Sequence, residues 1–121
     1  MEKAFIIGAY FADTDFEIGD NIIRAREAAG CAWAIGYATL CPHLNTAFFG
    51  GKTSEDNFKK GYLLWLADTD IAITVPGWER SDGSREEVKF CRETGKPLYH
   101  SNGAFNSLDE LVIDDPEIHT F

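Results

Sequence analysis

Short apolar runs alternate along this chain with amphipathic stretches, and turn residues separate them. Ala4–Gly8 is a continuous apolar run ending in glycine, the pattern of a strand buried on both faces. A polar loop runs from Ala9 to Asp20. From Asn21 to Ile35 the period becomes helical, with Ile22, Ala25, Ala29, Ala32 and Trp33 recurring at three- and four-residue spacing. Asp20 or Asn21 can cap this helix, and Gly36 ends it. Ala38–Cys41 predicts a second strand closed by Pro42. Ser54 or Thr53 can cap a helix over roughly Glu55–Ala67, with Phe58, Tyr62, Trp65 and Leu66 as its stripe. Ile71–Val75 predicts a third strand, stopped by Pro76-Gly77. Ser84–Thr94 predicts a third helix closed by Gly95, Leu98–His100 a fourth strand, and Ser107-x-x-Glu110 the capping box of a short terminal helix.

Alternating strands and helices predict an α/β fold with a parallel sheet of about four strands and helices on both faces. This is a small three-layer sandwich of the Rossmann or flavodoxin kind. The chain has 121 residues, 45% of them hydrophobic, which fits one domain in the usual range of about 100–150 residues. Ligands of such sheets bind outside the carboxyl ends of the strands. Gly8 and Tyr10 follow the first strand, His43 and Asn45 the second, and Gly77 through Glu87 the third. Their convergence on one sheet edge is the main functional signal.

Charge narrows the partners. Twenty acidic residues against 11 basic ones leave a net charge of −9, which repels a nucleic acid polymer but not a single nucleotide held by local amides. Cys31, Cys41 and Cys91 form no C-x-x-C pair, and with His43, His100 and His119 they show no metal-ligand spacing. Neither a metal nor a cofactor is expected. Met1-Glu2-Lys3 leads directly into an apolar run too short for a signal peptide, and no stretch approaches the roughly 20 apolar residues of a membrane span. The expectation is a cytoplasmic protein without a membrane partner.

Pro76 to Glu87 is the densest candidate segment. Ser81 and Gly83 precede a helix start, where free amides and the helix dipole favour one anion, although the local sequence by itself favours a simple polar loop with a cap. Glu87 is either the last residue of a Ser84-x-x-Glu87 capping box or a carboxylate facing the crevice. Other signals are weaker. Gly51-Lys52-Thr53 lacks the first glycine of a P-loop, since Thr46 stands there. Asp13-x-Asp15-x-Glu17 does not complete a calcium loop. Trp33 and Trp65 fall on helical apolar faces as core, whereas Trp78 is expected to line the site.

Ala4-Phe5-Ile6-Ile7-Gly8-Ala9-Tyr10, Asn21-Ile22-x-Arg24-Ala25, Cys41-Pro42-His43-Leu44-Asn45-Thr46 and Pro76-Gly77-Trp78-Glu79 with Ser81-x-Gly83 together carry a resemblance. Over roughly residues 4 to 100 the chain resembles the small nucleoside 2-deoxyribosyltransferase-like domains common in phages and bacteria. The resemblance implies a nucleoside or nucleotide as ligand. It implies cleavage or transfer of the N-glycosidic bond, and a homo-oligomer whose neighbouring subunit completes the pocket. In that family a glutamate eight residues before a Gly-Lys turn attacks C1′; Gly95-Lys96-Pro97 is such a turn, and Glu87 takes that position. Ser81 and Gly83 match a 5′-phosphate cradle, and Tyr10 an aromatic beside the sugar. The family's second carboxyl, an aspartate on the helix before the third strand, falls here on Tyr62; Asp56 and Asp68 stand out of register by about a turn of helix or more. Tyr10, with Asp68 or His43, would then supply acid, base or orienting roles. A non-catalytic module that sequesters or senses a nucleotide is the alternative in another class.

Overall fold

A computed structural model describes residues 1–116; His119 lies outside the described residues. The elements are β1 (Lys3–Ile7), α1 (Asp15–Ala34), β2 (Ala38–Leu40), α2 (Pro42–Asn45), α3 (Glu55–Asp68), β3 (Ile71–Thr74), a 3-10 turn (Trp78–Arg80), α4 (Asp82–Thr94), β4 (Leu98–His100), a second 3-10 turn (Leu108–Glu110) and β5 (Val112–Ile113). The sheet order is β2-β1-β3-β4-β5. The first four strands are mutually parallel and β5 runs antiparallel to β4, so the architecture is the expected small Rossmann- or flavodoxin-like α/β fold.

β1 explains the layering. Ala4, Phe5, Ile6 and Ile7 are all fully buried, and successive strand side chains point to opposite faces. Ala4 and Ile6 join Ile71, Ile73, Ala25, Ala29 and Ala32 in one core. Phe5 and Ile7 join Ala72, Leu66, Val88, Cys91 and Leu98 in the other. α1 therefore covers one face through small residues, and α3 and α4 cover the other. Each large side chain so buried contributes about 1.5–3 kcal/mol.

Four elements differ from the sequence expectation, the first being α2, a helical turn over Pro42–Asn45 with proline at its start where no helix was expected. α1 begins at Asp15, because Thr14 Oγ1 accepts the Glu17 N–H at 3.1 Å and caps the helix. The acidic run that hinted at calcium is thus a first helical turn, where carboxylates complement the dipole. α4 begins at Asp82, with Ser81 as its cap. The expected terminal helix is only a 3-10 turn, since Ser107 makes no capping bond and Val112-Ile113 pair with His100 and Tyr99. The two tryptophans expected in the core, Trp33 and Trp65, are each 55% exposed, because small residues of α1 and Leu66 of α3 take the inward positions. α4 ends at Gly95, whose φ of 73° is the left-handed cap conformation that favours glycine.

A buried ion pair anchors β5. Arg92 donates to both oxygens of Asp114 at 2.9 and 3.0 Å, and His100 Nε2 donates to Asp114 Oδ1 at 2.7 Å. His100 Nδ1 lies 2.8 Å from Thr74 Oγ1, and the His100 ring stacks on Trp78 at 5.4 Å. Burial opposes ionisation of Asp114, but the Arg92 and His100 hydrogen bonds outweigh it and hold the carboxyl below its ordinary 3.8. Its stabilisation is therefore present above pH 3.8 and lost as pH falls through the lower folded-state value. Asp114→Asn should destabilise the fold by about 2 kcal/mol, since it removes the charge-assisted hydrogen bonds that the carboxylate accepts from Arg92 and His100. Urea melts at pH 7 check this, and a change below about 1 kcal/mol, typical of an exposed pair, would contradict it.

Candidate functional site

The loops leaving the carboxyl ends of β1 and β3, together with α2, α3 and the start of α4, surround a cavity of about 330 Å³. Small-molecule sites span about 300–1,000 Å³. Gly8, Tyr10, His43, Ser81, Gly83 and Glu87, expected from the sequence, all line it. So do Phe58, Lys59 and Ser84, which the sequence does not single out for the site, and Tyr62, which stands where the resemblance puts a second carboxyl.

One wall is the first turns of α4. Ser81 adopts extended backbone angles, and its Oγ accepts the Ser84 N–H at 3.2 Å. Other amides of this turn are orphaned by helix geometry and carry the positive end of the dipole. The Ser84 hydroxyl is buried among them, the residue being 2% exposed, and has no hydrogen-bond partner among the described residues. Leaving such a hydroxyl unsatisfied costs about 1–3 kcal/mol. Lys59 of α3 reaches over this turn, its Nζ 4.0 Å from Glu86 and its Cε 3.8 Å from where a Cβ on Gly83 would sit. Arg85 is turned away, bound to Asp82 and to the Glu79 carbonyl. The wall thus combines a helix start, a free hydroxyl and one ammonium.

Glu87 cannot be a capping residue, because Ser81 is the cap and Glu87 lies in the second turn of α4. Its carboxyl has no hydrogen bond or ion pair to another described residue. Burial pushes it up to about 8, and the Glu86 carboxylate adds to the shift. At neutral pH in the free protein it is mainly protonated. Such a group suits acid–base or nucleophilic work in a crevice.

The opposite wall is held by α2. His43 is 3% exposed, and its Nε2 donates to the Gly8 and Ala9 carbonyls, each at 3.0 Å. Burial lowers its pKa, the two carbonyls only partly offsetting this, so the imidazole is neutral. Its Nδ1 lies 3.9 Å from the Cys41 sulfur, whose thiol burial pushes up to about 11. His43 therefore ties the end of β2 to the loop after β1. Glycine at position 8 allows this approach, because a Cβ there would stand 3.1 Å from Val75 Cβ and 3.5 Å from His43 Nε2. The Tyr10 hydroxyl accepts the Phe48 N–H, and its ring packs 6.0 Å from His43. Asn45 Nδ2 donates to the Tyr62 hydroxyl at 3.1 Å, so its amide supports the wall through Tyr62.

Four sequence candidates do not line this cavity: Asn45, which reaches it only through the Tyr62 hydroxyl, and Asp68, Trp78 and Gly77. Asp68 ends α3 at the opposite edge of the sheet, where it is exposed and paired with Lys3 at 3.0 Å. Helix register decides this, since the residue closing α3 must lie beside the amino ends of the strands. Trp78 is 4% exposed and packs in the core against His100, because the 3-10 turn after Gly77 swings it inward. Gly77 lines a neighbouring cavity with Arg80; its φ of 92° is left-handed, and a Cβ there would meet the Arg80 guanidinium at 2.6 Å. Among the described residues no group of three or more His, Cys, Asp or Glu could hold a metal ion, and no helix is long and apolar enough to cross a membrane.

The raised Glu87 value has a stability consequence. The folded-state value of about 8 exceeds the ordinary 4.5. Glu87's contribution is therefore intact below pH 4.5 and lost as pH rises through about 8. Glu87→Gln cannot ionise, so its stability should match wild type near pH 4.5 and exceed it near pH 9, by on the order of a few kcal/mol. Denaturant titrations at both pH values measure the gap; no gap at pH 9 would mean that the carboxylate is well solvated.

No protein-family model matches the chain, and no curated protein matches it either.

Proposed function

We propose that this protein cleaves or transfers the N-glycosidic bond of a nucleoside 5′-monophosphate, with Glu87 as the carboxylate that engages C1′. The observation that carries the reading is the shared wall. The anion-favouring start of α4 and the unpartnered Glu87 carboxyl line one cavity. From Gly83 to Glu87 the helix rises about 6 Å, a span that suits a ligand whose phosphate and reacting carbon are one sugar apart. Tyr10 lines the same cavity, and Ser81, Gly83 and Ser84 supply donors for the phosphate.

The chemistry follows from that arrangement. Ionised Glu87 closes on C1′ as the C1′–N bond breaks and its electron pair leaves with the base, through an oxocarbenium-like state. Water, or the base of a second nucleotide, then releases the sugar from the glutamyl ester. Because Glu87 is mainly protonated at rest, kcat/KM should rise with pH towards a plateau above about 8.

The test is incubation with a panel of nucleosides and their monophosphates, followed by chromatography for released base. Free base from a monophosphate is expected, with a loss of about a hundredfold or more in Glu87→Gln while binding persists. Calorimetric binding without base release from any member of the panel would overturn the enzyme reading and leave a nucleotide-binding module. Ser84→Ala provides an independent check. Removing a buried, unpartnered hydroxyl should raise the stability of the free protein by about 1 kcal/mol while weakening monophosphate binding about tenfold. Unchanged affinity for both monophosphate and nucleoside would place the phosphate elsewhere.

A further inference from the structure

The wall of the cavity facing α4 carries a second group with chemistry to offer. Tyr62 lines the cavity, and its ring is fixed edge-on to Phe5 at 6.3 Å, so the core sets where the phenol stands. Its hydroxyl oxygen is surrounded by α2. Asn45 Nδ2 donates to it at 3.1 Å, Thr46 Oγ1 lies 2.8 Å away, and the Pro42 carbonyl lies 3.4 Å away. Thr46 Oγ1 is also 3.2 Å from that same carbonyl.

These distances allow two proton orders. In one, Tyr62 donates to Thr46 and Thr46 donates to Pro42. In the other, Thr46 and Asn45 both donate to Tyr62, whose own proton then meets only the long contact to Pro42. The second order leaves a proton available to a ligand and places two donors where a phenolate would need them. Other candidates are committed or remote. His43 Nε2–H already serves two carbonyls and Asp68 stands at the far edge of the sheet, while the Tyr10 oxygen accepts one N–H, from Phe48, where the Tyr62 oxygen has two donors to hold a phenolate.

We propose that Tyr62 is the proton donor to the departing base, held for that task by Asn45 and Thr46 as positioning residues. The proposal rests on the reading of Glu87 above. As the C1′–N bond breaks, its electron pair passes into the base and the Tyr62 hydroxyl proton passes to a ring nitrogen or carbonyl oxygen of that base. Glu87 forms the new bond to C1′. Thr46 and Asn45, which already donate to the Tyr62 oxygen, hold the phenolate so formed. Water then adds its hydroxyl to C1′, the bond from C1′ to Glu87 breaks, and the proton from that water returns to Tyr62. The sum is one nucleotide and one water converted to sugar phosphate and free base.

The experiment compares two leaving groups. One substrate is a monophosphate with its natural base, and the other is the matching 4-nitrophenyl 5-phosphoglycoside, whose leaving group departs as an anion and needs no proton. Tyr62→Phe should lose about a hundredfold in kcat on the natural base, within the usual range for general acids of about 10²–10⁴. Its KM and melting temperature should hold, and on the nitrophenyl substrate the loss should be a few-fold at most. Thr46→Val and Asn45→Ala, which leave the phenol in place, should show smaller losses confined to the natural base; they also carry the test if Tyr62→Phe fails to fold. Equal losses on both substrates, or no loss on the natural base, would overturn the role of Tyr62 while leaving Glu87 untouched. A wild-type protein that releases nitrophenol but no natural base would overturn both the role of Tyr62 and the N-glycosidic reading. A wild type that cleaves neither substrate would overturn both proposals.

Discussion

The whole arrangement depends on burying β1 on both faces. Four consecutive apolar side chains, Ala4 to Ile7, sit between β2 and β3 with no exposure at all. Period-two geometry sends half of them to each side, so neither face can be left to solvent. One helix must pack beneath and the others above. The chain meets that demand by leaving β1 towards α1 on one face and leaving β3 towards α4 on the other. The crevice between those diverging loops is a consequence of the layering, and it collects Gly8, Tyr10, Ser81 and Glu87 at one edge.

Two local devices turn that crevice into a shaped site. The first is the Ser81 cap, which starts α4 early enough that Ser84 faces the cavity without a partner and Glu87 falls one turn deeper. Had the helix begun at Ser84, the same glutamate would have been used up in capping. The second is the short α2 segment, where Cys41, Pro42, His43, Asn45 and Thr46 bind backward to the β1 loop and sideways to Tyr62. A neutral, buried imidazole is the pivot, since it can donate to two carbonyls without the desolvation cost of a charge.

Away from the site, the Arg92–Asp114–His100 cluster explains why the chain ends its sheet with an antiparallel strand. Asp114 offers a carboxylate to two donors on different elements, and β5 is fixed between them. Trp78 stacks on that histidine, so the turn leading to Ser81 rests on the same buried network. Nothing in the local pattern of residues 76–87 reveals this, because His100 and Asp114 are distant in sequence.

The sequence by itself determined the α/β class, the four parallel strands, and the sheet edge where polar and aromatic residues gather, but not the antiparallel β5. These follow from hydrophobic period and turn residues, which act over a few neighbouring positions. It also singled out Glu87, Tyr10, Ser81 and Gly83 by their place after strands. Tertiary structure alone decided which of two roles Glu87 could have, because capping depends on which serine the backbone selects. It alone turned Trp78 inward, left Trp33 and Trp65 on the surface, and set Asp68 beside Lys3. It also brought Lys59, Tyr62 and Ser84 to one cavity. Those outcomes depend on how helices rotate and where they end against a sheet, which is set by contacts between residues far apart in the chain.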